Sequence, residues 1–172
     1  IHIVVKTELG DIKMELYPDK APISVTNFMR YVQEKRFKGA SFYRTVRPDN
    51  QPNNKVKIEV IQGGLGMDGA HPNELPPIKH ETTATSGLKH LNGTLSMARL
   101  APGTAGSEFF ICINNQPELD FGGQRNPDGQ GFAAFGQVIE GMEVVKAIQQ
   151  QKDIGQMLEK NIAIIDVVRI NN

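Results

Sequence analysis

Eight short, apolar, β-rich runs, with only two stretches of helical period among them, constrain this chain's fold more than any other feature of its sequence. "HIVVKTE" and "DIKMELY" flank Leu9-Gly10-Asp11 and read as a hairpin across residues 1–17. In the second of these runs Ile12, Met14 and Leu16 alternate with Lys13 and Glu15, which buries one face. Further runs fall at 41–46, 56–64, 94–99, 108–113, 132–139 and 161–170. Helical period appears at 21–36, where Val25, Phe28, Met29 and Val32 share a face behind Pro22. It returns at 141–150 through Val144, Val145 and Ile148. No regular strand–helix–strand alternation links the runs, so antiparallel pairing is expected. A closed eight-stranded antiparallel β-barrel removes exposed edges and leaves the two α-helices to cap its ends. This mainly-β architecture, one domain over residues 1–172, is the predicted fold.

Nineteen Lys plus Arg balance 19 Asp plus Glu, and neither a nucleic acid nor a membrane surface is expected as partner, since both favour a basic face. No apolar run approaches the ~20 residues of a membrane-spanning helix. Cys112 is the single cysteine, which excludes an internal disulfide, and its setting in "FFICI" reads as a small buried hydrophobe. His2, His71, His80 and His90 stand at no metal-binding spacing and have no cysteine pair beside them, so no metal is expected. Gly63-Gly64-Leu65-Gly66 lacks the following helix of a dinucleotide site. Neither a G-x-x-x-x-G-K-[ST] phosphate loop nor a G-x-S-x-G elbow occurs, and no cofactor is expected. The chain opens at Ile1 rather than methionine. Removal of an export leader would account for this and would place the protein in the periplasm or beyond, with the cytoplasm as the alternative. A monomer is the default expectation.

The stretch "LNGTLSMARLAPGTAGSEFFICIN", 91–114, joins two apolar runs through Ala101-Pro102-Gly103-Thr104-Ala105-Gly106-Ser107, a loop with almost no side-chain bulk. Such a loop permits a tight bend, and it also leaves an adjoining groove unobstructed. Four stretches, taken in order, point further: "GDIKMELYPDKAPISVTNF" (10–28), "SFYRTV" leading to "VIQGG" (41–64), "GTLSMARLAPGTAGSEFFICI" (93–113), and "ELDF" followed by "FAAFGQVIEGMEVV" (118–145). In this order and spacing they resemble the cyclophilins, and the long loops look most like those of bacterial members.

The resemblance implies a cyclophilin-like barrel with a helix over each end, in agreement with the periodicity. It implies a peptidyl-prolyl cis–trans isomerase that rotates Xaa-Pro bonds in proline-containing peptides and unfolded protein chains, and so assists folding. Position by position, Arg44 matches the family arginine held to be catalytic, and Gln62 a glutamine that hydrogen-bonds the substrate backbone. Phe110 matches the base of the proline pocket, Leu119 its wall, Ala98 a small residue beside the peptide groove, and Val60 a position that often holds methionine.

The chain also departs from the pattern. Seventeen residues, 45–61, separate Arg44 from Gln62, a longer spacing than the family's, and the polar loop around Asp49–Lys55 is expected near the active face. Glu108 replaces a glutamine, Arg99 an asparagine, and Phe132 a histidine or tyrosine, all at substrate-facing positions. Glu108 is expected to pair with Arg44 or Arg99. These substitutions keep a second reading open, a cyclophilin-fold module that binds proline-containing segments with little turnover. A barrel carrying a small apolar ligand would need an open interior, which the Phe-rich strands oppose.

Overall fold

A computed structural model describes residues 1–171. The strands are β1 (His2–Thr7), β2 (Gly10–Leu16), β3 (Ser41–Val46), β4 (Val60–Gly64), β5 (Thr94–Met97), β6 (Phe109–Cys112), β7 (Ala133–Glu140), β8 (Asp153–Ile154) and β9 (Met157–Ile170). The helices are α1 (Pro22–Gln33), a single turn α2 (Thr83–Ser86) and α3 (Met142–Gln149). Hydrogen-bonded neighbours run β1-β2-β7-β5-β6-β4-β3-β9, and β9 pairs back onto β1. Every ladder is antiparallel, so eight strands close into the predicted barrel. The two-residue β8 lies outside the ring and pairs with the start of β9 alone.

Two boundaries differ from the periodicity. β9 begins at Met157 rather than 161, because β8 offers it a hairpin partner. β4 begins at Val60 rather than 56, because the Gln51 side chain takes both backbone groups of Ile58, accepting from its N–H at 3.2 Å and donating to its carbonyl at 2.7 Å.

Side chains of alternating residues fill the barrel. Ile3, Val5, Ile12, Met14, Phe42, Ile61, Leu95, Phe109, Ile111 and Phe135 form its interior, and the faces of α1 and α3 join the same core. Phe28 of α1 sets its ring 5.6 Å from Phe109 and 5.4 Å from Phe135. A filled interior of this kind leaves no cavity for an internal ligand. Alternation also sends Val46, Val60, Phe110 and Cys112 outward, where they form a second, smaller apolar cluster with Ile58, Leu119, Ala98 and Phe132. Cys112 is fully buried in it, and burial pushes its thiol well above the usual range.

Ala21, the N-cap residue just before α1, has no side-chain cap to offer. Glu81, buried and 57 residues from Ser24 in sequence, substitutes for one: its carboxylate oxygens accept from the N–H groups of Ile23 and Ser24, each at 3.1 Å. A carboxylate there also meets the positive end of the helix dipole. Glu81→Ala should therefore cost about 1–2 kcal/mol of stability, read from urea denaturation. An unchanged midpoint would show that water replaces the carboxylate without loss.

Candidate active site

The outer face of four adjacent strands carries the site. Registers Arg44↔Gln62, Gln62↔Phe110 and Phe110↔Ser96 set these residues in one row across β3, β4, β6 and β5. Period two explains why Phe109 faces the barrel interior while Phe110 faces the small cluster outside. A cavity of about 640 Å³ opens over the row. All nine residues expected at the site, Arg44, Val60, Gln62, Ala98, Arg99, Glu108, Phe110, Leu119 and Phe132, line it. Thr104, Gly106 and Ser107 of the bare loop line it too.

The apolar end is built around Phe110. The Phe132 ring stands edge-on to it at 5.4 Å, and the His90 ring stacks against it at 5.9 Å. His90 is buried; its Nδ1–H donates to Asp120 at 2.7 Å, and its Nε2 faces the Ser96 hydroxyl at 2.8 Å. Serine, histidine and aspartate are thus aligned as in a hydrolase, but Ser96 is fully buried and no substrate carbonyl can reach it. The row instead fixes the ring behind Phe110.

The polar end is a chain of hydrogen bonds. Arg44 donates from Nη1 to Gln62 Oε1 at 2.8 Å, and from Nε and Nη2 to Gln156 Oε1 at 3.1 and 2.7 Å. Gln62 Nε2 donates to the Tyr43 hydroxyl at 3.0 Å, and that hydroxyl donates to Glu108 at 2.8 Å. Burial lowers the pKa of Arg44 and raises those of Tyr43 and Glu108.

The expected pairing of Glu108 with Arg44 or Arg99 does not occur. The Glu108 carboxylate folds over Gly64 to accept from the N–H groups of Leu65 at 3.0 Å and Gly66 at 2.7 Å, and from the Ser107 hydroxyl at 2.6 Å. Only glycine permits this approach, since φ at Gly64 is +142° and a Cβ there would lie 2.0 Å from the carboxylate oxygen. Glu108 thus reaches Arg44 only through Tyr43 and Gln62. Arg99 turns the other way, to Asp128 at 2.9 and 3.0 Å and to the Gly131 carbonyl, with its guanidinium 4.9 Å over the Phe132 ring.

The sequence carries no local signal for Gln156, which grips the rear of Arg44. It sits in the β8–β9 turn with φ +77°, 112 residues from its partner. The polar loop after β3 holds it there. Gln156 Nε2 donates to the Asn50 carbonyl at 3.1 Å, and its N–H donates to Asp153 at 2.9 Å. Asp153 also accepts from Arg47 at 2.5 Å and Asn50 at 3.1 Å. The loop therefore lies near the active face, as expected, and buttresses it from behind.

Burial opposes ionisation of Asp153, but these donors hold its carboxyl below the ordinary value of 3.8. A depressed folded-state pKa contributes stability that is present above the ordinary value and lost as pH falls through the folded one. Asp153→Asn should lower stability by about 1–2 kcal/mol at neutral pH. The gap to wild type should close as the pH drops below about 4. A gap independent of pH in urea melts would count against the assigned charge interaction.

Among the described residues no cluster of three or more His, Cys, Asp and Glu side chains is placed to hold a metal ion. No helix among them is long and apolar enough to cross a membrane.

Comparison with known proteins places the chain beside peptidyl-prolyl cis-trans isomerases. A peptidyl-prolyl cis-trans isomerase A of Dickeya dadantii is 38% identical over 150 residues, 87% of this chain and 71% of that one. A peptidyl-prolyl cis-trans isomerase B of Escherichia coli is 37% identical over 147 residues, covering 83% and 80%. In three dimensions the chain superposes on a Cryptosporidium parvum cyclophilin type isomerase with a TM-score of 0.74 at 24% identity, over 100% of both chains. Residues 2–169 match the family model described as cyclophilin type peptidyl-prolyl cis-trans isomerase/CLD. Given that match over almost its full length, the chain belongs to the cyclophilin-type peptidyl-prolyl cis–trans isomerases.

Proposed function

We propose that this chain rotates Xaa-Pro bonds in peptides and unfolded protein segments by binding the twisted imide more tightly than the planar one, with Arg44 as the catalytic residue. The barrier to rotation is the loss of amide resonance, ~18–20 kcal/mol. No bond to carbon breaks, so rotation calls for no nucleophile. As the bond twists, the prolyl nitrogen becomes pyramidal and its lone pair becomes a hydrogen-bond acceptor. A guanidinium aimed at that lone pair stabilises the twisted state selectively, which is the condition for acceleration.

Arg44 suits this role. Of its five N–H donors, three are held by Gln62 and Gln156, leaving one on each terminal nitrogen for the cavity. The held donors fix the plane of the guanidinium before substrate arrives. One charge-assisted hydrogen bond, ~1.5–3 kcal/mol, supplies one or two decades of rate. The remainder falls to the apolar pocket of Phe110, Leu119, Phe132, Val60 and Ala98, which grips the proline ring and excludes water, and to Gln62, whose second Nε2–H is free to meet a substrate carbonyl. Glu108 acts here as a positioning residue through Tyr43.

The observation that carries this reading is the shared cavity: a half-buried guanidinium held by hydrogen bonds and the apolar cluster built on Phe110 line the same space. The Cryptosporidium parvum protein was crystallised in the presence of the dipeptide Ala-Pro, and we extend that ligand chemistry to this chain. Cis-to-trans exchange of a neutral Ala-Pro peptide, followed by NMR, should accelerate with added protein. Background rates at micromolar protein would leave only a module that grips proline segments without turning them over.

A further inference from the structure

Arg44 has a cationic companion in its cavity that the rotation mechanism does not use. Arg125 lies in the loop between Leu119 and Phe132 and lines the same cavity, beside Ile58. Its backbone N–H donates to the Glu118 carbonyl at 3.2 Å, and its Nη1 donates to Gln51 Oε1 and the Val56 carbonyl, both at 2.7 Å. All these acceptors are neutral. Among the described residues neither Arg125 nor Arg44 forms an ion pair, whereas Arg99 has Asp128, Arg47 has Asp49 and Asp153, and Arg30 and Arg36 share Glu34. Burial and the charge on Arg44 both lower the pKa of Arg125, so the two guanidiniums share a partly desolvated space. Among the described residues, Nη2 and Nε of Arg125 have no acceptor. Asp68, Glu74 and Glu108 line the same cavity, but Asp68 accepts from the Ala70 N–H, Glu74 from the Tyr31 and Ser107 hydroxyls, and Glu108 from Tyr43 and the Leu65 and Gly66 N–H groups, and none of them forms an ion pair with either arginine. Two cations with no ion-pair partner among the described residues, lining one peptide-binding cavity, favour an anion supplied by the peptide.

We propose that Arg125 is a specificity-determining residue that selects Xaa-Pro segments flanked by an anionic oxygen group, a side-chain carboxylate or a phosphorylated hydroxyl. The inference rests on the proposed isomerase site. The two long loops create it together, one supplying the cation and the other, through Gln51 and Val56, the acceptors that hold it at the rim.

The test uses one tetrapeptide frame in four forms: neutral, glutamate before proline, glutamate after proline, and phosphoserine before proline. Exchange is measured by NMR for wild type, Arg125→Gln and Arg125→Lys, and the anionic-to-neutral ratio of kcat/KM is compared within each protein, so any general loss of activity cancels. Wild type should favour at least one anionic peptide by roughly three- to tenfold, the size of a partly screened ion pair, and less in high salt. A gain for a glutamate peptide assigns a carboxylate, and a gain for the phosphopeptide alone assigns a phosphate. Arg125→Gln should bring the ratio to about one, and Arg125→Lys should hold it above one. A wild-type ratio of one, or a preference that survives in Arg125→Gln, overturns the proposal. Failure of wild type on the neutral peptide would overturn the isomerase site itself.

Discussion

Arg44→Ala is expected to lower kcat/KM on a neutral Xaa-Pro peptide by about ten- to a hundredfold, the equivalent of one charge-assisted hydrogen bond made only in the twisted state. Arg44→Lys should recover little of this. An ammonium is a compact point charge; it cannot hold Gln62 and Gln156 simultaneously in one plane and still present donors to the cavity. The loss should fall mainly on kcat, since the planar ground state offers the guanidinium no lone pair. A loss confined to KM would make Arg44 a ground-state binder and remove the electrostatic account.

The other large effect separates two adjacent phenylalanines. Phe109 is fully buried, with the rings of Phe28, Phe37 and Phe42 at 5.6, 5.9 and 5.7 Å. Phe109→Ala should cost about 3–5 kcal/mol and lower the melting temperature by roughly 10 °C or more. Phe110→Ala, one residue on, empties the floor of the outer hollow. Its main signature should be a raised KM for proline peptides, with a smaller stability loss, because its neighbours Phe132 and His90 lie outside the barrel core. Thermal melts beside exchange kinetics would distinguish them. Equal losses of stability in both variants would contradict the assignment of one ring to the core and the other to the site.

Period two made this division legible in the sequence. In "FFICI" successive side chains must leave the sheet on opposite faces, so one phenylalanine had to serve each side. The barrel was legible for the same reason, since eight runs of strand length left no helix repeats for a parallel sheet. The position-by-position resemblance brought Arg44, Gln62, Phe110 and Leu119 to one cavity, although none of them stands out by local pattern. Contacts that depend on distant backbone were not legible. β8 is two residues long and has no period to detect. Gln156 matters because of a partner 112 positions away. Glu108 looked like a mate for an arginine because charge is visible in a sequence, while the Leu65 and Gly66 N–H groups that capture it are not.

Closure of the ring by β1 and β9 sets His2 opposite Ile170, so the first and last strands of the barrel are lateral neighbours in one ladder. Strand order along the polypeptide is then separable from strand order around the barrel. A circular permutant joined across that ladder by a short linker, and reopened in the exposed turn at Asn114–Asn115, would keep all eight pairings and the row of residues beneath the cavity.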